Sequence, residues 1–170
     1  MRPPIYEQFV VGRAKPQGSL NPILHKQTGK IITRQDPKVI DWRSTIQAAM
    51  AAHRPEMQAK GVAVRVAFIV LIAMPEGMYR QLNAAWKRHK RGKGPLPADL
   101  IPCNHGTGDA DKLMRAIGDA LTSWAYEDDC QISFGTTKKR YVRGQPGVLI
   151  RIWLDELTDD ERALYKGEGV

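Results

Sequence analysis

The sequence predicts an α/β domain of the α+β kind: two layers, with a mixed β-sheet and helices packed on one face. Three observations predict it. Val62–Ala73 is a long β-branched apolar run, the strongest strand signal in the chain. The segments 37–53 and 109–126 carry apolar residues at helical spacing. Shorter strand-like stretches flank them, so the order reads β, β, α, β, α, α, β, β. With 170 residues, 42% of them apolar, the chain can bury a core of ordinary size without staples. We assign residues 1–154 to this domain and 155–170 to an acidic C-terminal tail.

Each element has its own signal. Ile5–Gly12 alternates weakly and reads as a first strand. Gly12–Gly29 is rich in Gly, Pro, Asn and Gln, and reads as a loop carrying Arg13 and Lys15. Thr28-Gly29-Lys30 makes a turn before a short strand, Ile31–Thr33, and the pair around it forms a small hairpin arm. Asp36-Pro37 starts a helix, with an N-cap acid followed by Pro at the first helical position. Its stripe is Val39, Ile40, Ile46, Ala49 and Met50. The unbroken apolarity of Val62–Ala73 predicts a central strand buried on both faces.

Met78–His89 reads as a helix with Tyr79, Leu82, Ala85 and Trp86 on one face, ending in a solvated basic run, Lys87–Lys93. Leu96–Gly108 is irregular and contains His105. Asp109–Tyr126 is a second clear helix, with Leu113, Ile117, Ala120, Leu121 and Trp124 as its stripe. Ile132–Val142 and Val148–Leu154 read as strands joined in a hairpin by Arg143–Gly147. Thr158 opens a further helix, with Glu161 completing a capping box.

Composition excludes several classes. Cys103 and Cys130 make neither a disulfide framework nor a CxxC metal motif. No apolar run approaches the roughly 20 residues of a membrane span. No signal-peptide core follows Met1. These features predict a soluble protein of the cytoplasm.

Charge is uneven. The chain holds 26 Lys and Arg against 18 Asp and Glu. Residues 155–170 contain six of those acids and two bases, leaving 24 bases and 12 acids in the body. A basic body attracts polyanions and releases counterions from nucleic acid. Yet six of the body's twelve acids fall within 109–129: Asp109, Asp111, Asp119, Glu127, Asp128 and Asp129. Crowded carboxylates repel one another and repel phosphate. A divalent cation among them removes both objections.

Each acid also has a plain alternative. Asp109 stands where an N-cap would, and Asp111 suits the first turn of a helix. Asp111, Arg115 and Asp119 lie four apart, as in a surface ion-pair ladder. Asp128-Asp129 fits a solvated turn. A helix length separates 109–111 from 128–129, so a shared site requires the chain to bring them together.

The strings D-A-D-K-L-M-R-A-I-G-D-A-L and Y-E-D-D-C-Q-I resemble those of RusA-type Holliday junction resolvases of the phage-like kind. The likeness is tight over 109–132 and looser over the basic G-R-A-K-P-Q-G-S loop from Gly12. The 75–108 segment has no counterpart in the shortest members. The resemblance implies a RusA-like fold and a homodimeric endonuclease that resolves branched, four-way DNA in recombination and repair. The implied cofactor is Mg²⁺, with Mn²⁺ as a substitute.

By the same resemblance Asp109, Asp111 and Asp129 match the essential metal-site aspartates, and Asp128 the acid beside the last. Arg115 stands where the best-known form has a catalytic lysine, and Lys112 where it has Asn. Arg keeps its charge at any working pH, so at 115 it can stabilise transition-state charge but cannot move a proton. Lys112, three residues away, is the other candidate for that cation. Arg13, Lys15, Lys87, Arg88, Lys90, Arg91, Lys138, Lys139 and Arg140 are candidates to hold the flanking DNA arms. Two other functions stay open at this point: a non-catalytic basic DNA-binding module, and a metal-dependent nuclease directed at RNA.

Overall fold

The structure is a computed structural model. It describes residues 3–18, 21–24, 26–34, 36–95, 108–156 and 158, with only the backbone at 21–24 and 31–34. The expectations for His105 and for a helix after Thr158 lie outside the described residues.

The elements in order are β1 (Tyr6–Val11), β2 (Asn21–Leu24), β3 (Ile31–Arg34), α1 (Pro37–Ala52), β4 (Val64–Ala73), α2 (Glu76–Lys90), α3 (Ala110–Leu121), β5 (Ile132–Val142) and β6 (Gly147–Leu154). A single 3-10 turn, Asp129–Gln131, leads into β5. The main sheet is mixed, in the order β1-β6-β4-β5, and β2 and β3 form a separate hairpin. β2 thus lies inside a stretch that the sequence assigns to loop. β4 is parallel to β5 and antiparallel to β6, which is antiparallel to β1.

β4 is the central strand the sequence predicts, but its burial is lopsided. Val64, Val66, Phe68 and Val70 are at most 1% exposed. They face a layer made of α1 and α3, which pack on each other, with α3 lying over β5. Ala67, Ile69 and Leu71 point the other way and are only half-buried. Phe9 and Phe134 are exposed on that second face.

On α3, Leu113, Ala116, Ile117, Ala120 and Leu121 are fully buried. α1 buries Val39, Trp42, Ile46 and Met50, while Ile40 is 48% exposed. The apolar face follows the three- and four-residue steps through Trp42, and Ile40 falls off it. Gly135 lets α3 approach β5 closely, because a Cβ there would overlap the Met114 thioether.

Three expectations are corrected. α3 stops at Leu121, and the chain turns through Ser123 at φ +65°. Trp124 is therefore off the helix, beneath the Arg54 guanidinium. α2 continues through Lys90, so most of the basic run is helical rather than loop. β5 and β6 form no hairpin, because β4 lies between them and hydrogen-bonds to both. The turn residues 143–146 predicted a chain reversal, and the chain does reverse. The choice of neighbour was decided by the more apolar β4.

α2 has no buried residue. Arg143, past the end of β5, stacks over the Tyr79 ring at 3.6 Å and donates to its hydroxyl at 2.8 Å. Among the described residues no helix is long and apolar enough to cross a membrane.

Candidate functional site

The acids sit at the two ends of α3. At the N-terminal end, Asp109 occupies the cap position with extended φ −77° and ψ 144°, yet its side chain makes no capping hydrogen bond. Its carboxylate instead pairs with Lys112 Nζ at 2.8 Å. That hydrogen bond and charge, with a smaller contribution from Asp111, push the Lys112 ammonium above its ordinary pKa. Lys112 therefore stays charged and is no proton acceptor near neutral pH. Asp111 is exposed in the first turn of the helix, and Arg115, four residues on, is also exposed.

The backbone under this pair is held from two sides. Gly108 has φ +73°, a left-handed conformation suited to glycine, and a Cβ there would lie 2.7 Å from Pro16 Cγ. Lys139 Nζ on β5 donates to Gly108 O at 2.8 Å. Gln17 N donates to Lys112 O at 3.1 Å. The loop after β1 and the far end of β5 thus fix the turn that presents Asp109 and Asp111.

The C-terminal end is built differently. Tyr126 is fully buried, and its hydroxyl donates to Gly118 O at 2.9 Å, folding the chain back onto the helix. Burial, helped by the charges of Asp129 and Asp119, raises that hydroxyl's pKa. Asp119 forms an ion pair with Arg43 of α1, whose guanidinium also donates to Gln17 Oε1 at 2.6 Å. Asp128 caps the 3-10 turn, accepting from Cys130 N at 2.9 Å, and this bond holds its carboxyl below the usual range. Asp129 is raised instead, first by partial desolvation and then by Asp128 and Asp119. The two adjacent acids are thus separable: Asp128 caps the turn, and Asp129 is exposed at its first position.

Gln131 organises this end and is 6% exposed. Its Oε1 accepts from Glu127 N at 2.9 Å and from Asp128 N at 3.1 Å. Its Nε2 donates to Ala59 O and to Val62 O, each at 2.9 Å. Asp128 and Gln131 thereby complete a capping box.

The expected convergence of Asp109, Asp111, Asp128 and Asp129 in one pocket does not occur within a single chain. Asp111 and Asp119 are eight residues apart on a helix, an axial distance of about 12 Å. β5 runs antiparallel to α3: Ile132 sits beside Gly118, Gly135 against Met114, and Lys139 at Gly108. Asp129, just before β5, therefore enters at the Asp119 end. Carboxylate oxygens suit Mg²⁺. Among the described residues, however, no group of three or more acidic, His or Cys side chains can share a metal. Asp109 and Asp111 alone are an incomplete set.

The basic candidates also divide. Arg13 and Lys15 lie on the loop after β1. Lys87, Arg88 and Lys90 lie on the last turn of α2, with Arg91 just beyond. Lys138 and Arg140 point to the exposed sheet face, whereas Lys139 points to the α3 side.

A family model described as Endodeoxyribonuclease RusA matches residues 14–153, from the loop after β1 into β6. The chain belongs to the RusA family. No curated protein matches the sequence. The RusA match spans both ends of α3, so the acids there lie within an endodeoxyribonuclease family domain. Within this RusA domain, sequence reasoning passed over Gln131 and Arg43 as site residues. The i, i+3 spacing of Asp128 and Gln131 is a capping-box signal that marks the first. Nothing local marks Arg43, whose partners lie 26 and 76 residues away.

Proposed function

We propose that this protein is a Mg²⁺-dependent endonuclease that resolves four-way DNA junctions in recombination and repair, acting as a homodimer. The observation that carries this reading is Asp109, which stands at a helix cap without capping. A purely structural acid there would bond to the exposed N–H groups of the first turn. Its carboxylate is turned to Lys112 instead, beside Asp111.

Two copies related by a two-fold axis present the opposite ends of two α3 helices to each other. We assign the metal to Asp109 and Asp111 of one copy, with Asp129 of the second. Asp128 shapes the turn that carries Asp129. When bound, Mg²⁺ supplies an activated water and neutralises charge on the scissile phosphate. Arg115 stabilises the charge that builds on that phosphate. Lys112 holds the Asp109 carboxylate in place. Arg13, Lys15, Lys139 and the basic end of α2 grip the flanking backbone without reading sequence.

The test is Asp111→Asn, assayed on a synthetic four-way junction with Mg²⁺. Cutting is expected to fall by about 100-fold or more, with binding retained or tightened. A parent that binds the junction without cutting it, with the variant binding equally, would leave a DNA-binding module; equal cutting by both would remove Asp111 from the site. Parental protein that prefers RNA helices over the junction would leave an RNA-directed nuclease.

A further inference from the structure

We infer that Gln131 is the positioning residue for Asp129, tying the turn that carries that carboxylate to the segment leading into β4. The inference rests on the reading of Asp129 as a metal-site residue.

Asp129 is exposed at the start of a three-residue 3-10 turn, too short an element to fix its own orientation. Among the described residues it makes no ion pair. Asp128 closes only the local turn, through Cys130 N.

Gln131 ties that turn to the rest of the fold. Its amide spans two segments more than 60 residues apart in sequence, accepting from Glu127 N and Asp128 N and donating to Ala59 O and Val62 O. Both ends of the amide are used, so its orientation is fixed. It is the buried polar side chain of the described core. The anchor it grips is itself rigid. Val62 N bonds to Ala59 O, and β4 begins two residues later, paired with Ile132 of β5. Asp129 is held between Asp128 and Gln131, both engaged by this network. A glutamine suits the role because one planar group can accept on one side and donate on the other.

The experiment compares Gln131→Met, which keeps the shape and removes the bonds, with Ile150→Val in the sheet centre and with Asp129→Asn. Single-turnover cutting of a four-way junction, the Mg²⁺ concentration for half-maximal rate, junction binding in Ca²⁺ and Tm are measured for each. Gln131→Met is expected to lose about 10- to 100-fold in cutting rate and to need more Mg²⁺, as outer-shell changes do at metal sites, with binding nearly unchanged. Ile150→Val lowers Tm without either effect. If Gln131→Met fails to fold, Gln131→Glu replaces it, keeping the size and the accepting oxygen, with the same pattern expected. A Gln131 variant that cuts at the parental rate and Mg²⁺ midpoint, while Asp129→Asn is inactive, overturns the role of Gln131 alone. So does a loss no larger than that of Ile150→Val. An active Asp129→Asn overturns the reading of the site, and the role of Gln131 with it.

Discussion

The two ends of α3 carry similar acids under opposite conditions. At the N-terminal end Asp109 and Asp111 are exposed, and cations approach from Lys112 and Lys139. At the C-terminal end Asp119 is clamped by Arg43, Asp128 is engaged in a turn, and Asp129 is pushed against its own kind. The first end is open and charge-balanced. The second is tied into the fold through Arg43, Asp128 and Gln131. The difference shows that sequence motifs of equal acidity need not do equal work. Under the proposed function, one end offers two exposed ligands for an ion and the other a single ligand presented by a scaffold.

The sharpest way to break this comparison is to separate the ends genetically. Asp111→Asn and Asp129→Asn homodimers are each expected to be inactive. Mixing the two and allowing subunit exchange restores cutting, because one of the two composite sites then carries both native acids. Random exchange makes about half of the dimers mixed, and each of these keeps one native site of two, so recovery to about a quarter of the parental site number is expected, read as nicked rather than fully resolved junctions under single-turnover conditions. No recovery would place both acids in the service of one chain.

The second test sits within the Asp128-Asp129 pair. Asp129→Asn is expected to lose about 100-fold or more in cutting. Asp128→Asn is expected to stay within about threefold of the parent, since asparagine caps as well as aspartate. Equal losses would remove the distinction drawn between them.

Arg43→Ala probes the clamp. It leaves Asp119 half-buried without its ion pair, and a loss of about 1–3 kcal/mol in unfolding free energy is expected from denaturant titration. Cutting should fall with it, because Asp119 would be free to move against Asp129.

The smallest effect is electrostatic. The fold raises the Asp129 carboxyl above its unfolded value, so the ionised form destabilises the folded state. That penalty is present above the raised value and disappears as pH falls through it toward the ordinary carboxylate range. Asp129→Asn should therefore melt a degree or so above the parent at neutral pH, by about 1–2 °C. The gap should close on acidification. A variant that melts lower at neutral pH would contradict the repulsion.

Much of the fold was legible because it is written locally. The Asp36-Pro37 start of α1, the stripe of α3 and the apolar run of β4 each follow from a few neighbouring residues. The end of α3 was misread because Trp124 continues the apolar spacing past Leu121, while the left-handed Ser123 leaves no such trace. The β5–β6 pairing was misread because turn residues encode a reversal of direction and say nothing of which strand fills the gap. In the site, the residue types were legible and their distribution along α3 was not. Motif order collapses an axial distance that the helix keeps open. Gln131 and Arg43 act through partners remote in sequence, and no local pattern announces them fully.

The position of β6 has a consequence for assembly. β1 touches the sheet only through β6, with Tyr6 opposite Ile152. A nascent chain extended to Val142 can zip β4 to β5, yet β1 has nothing to join and the other edge of β4 stays bare. The sheet closes only after Gly147–Leu154 leaves the ribosome and slides between strands made long before. Such late, long-range closure folds slowly, and until then the bare edge of β4 is a template for stray strands.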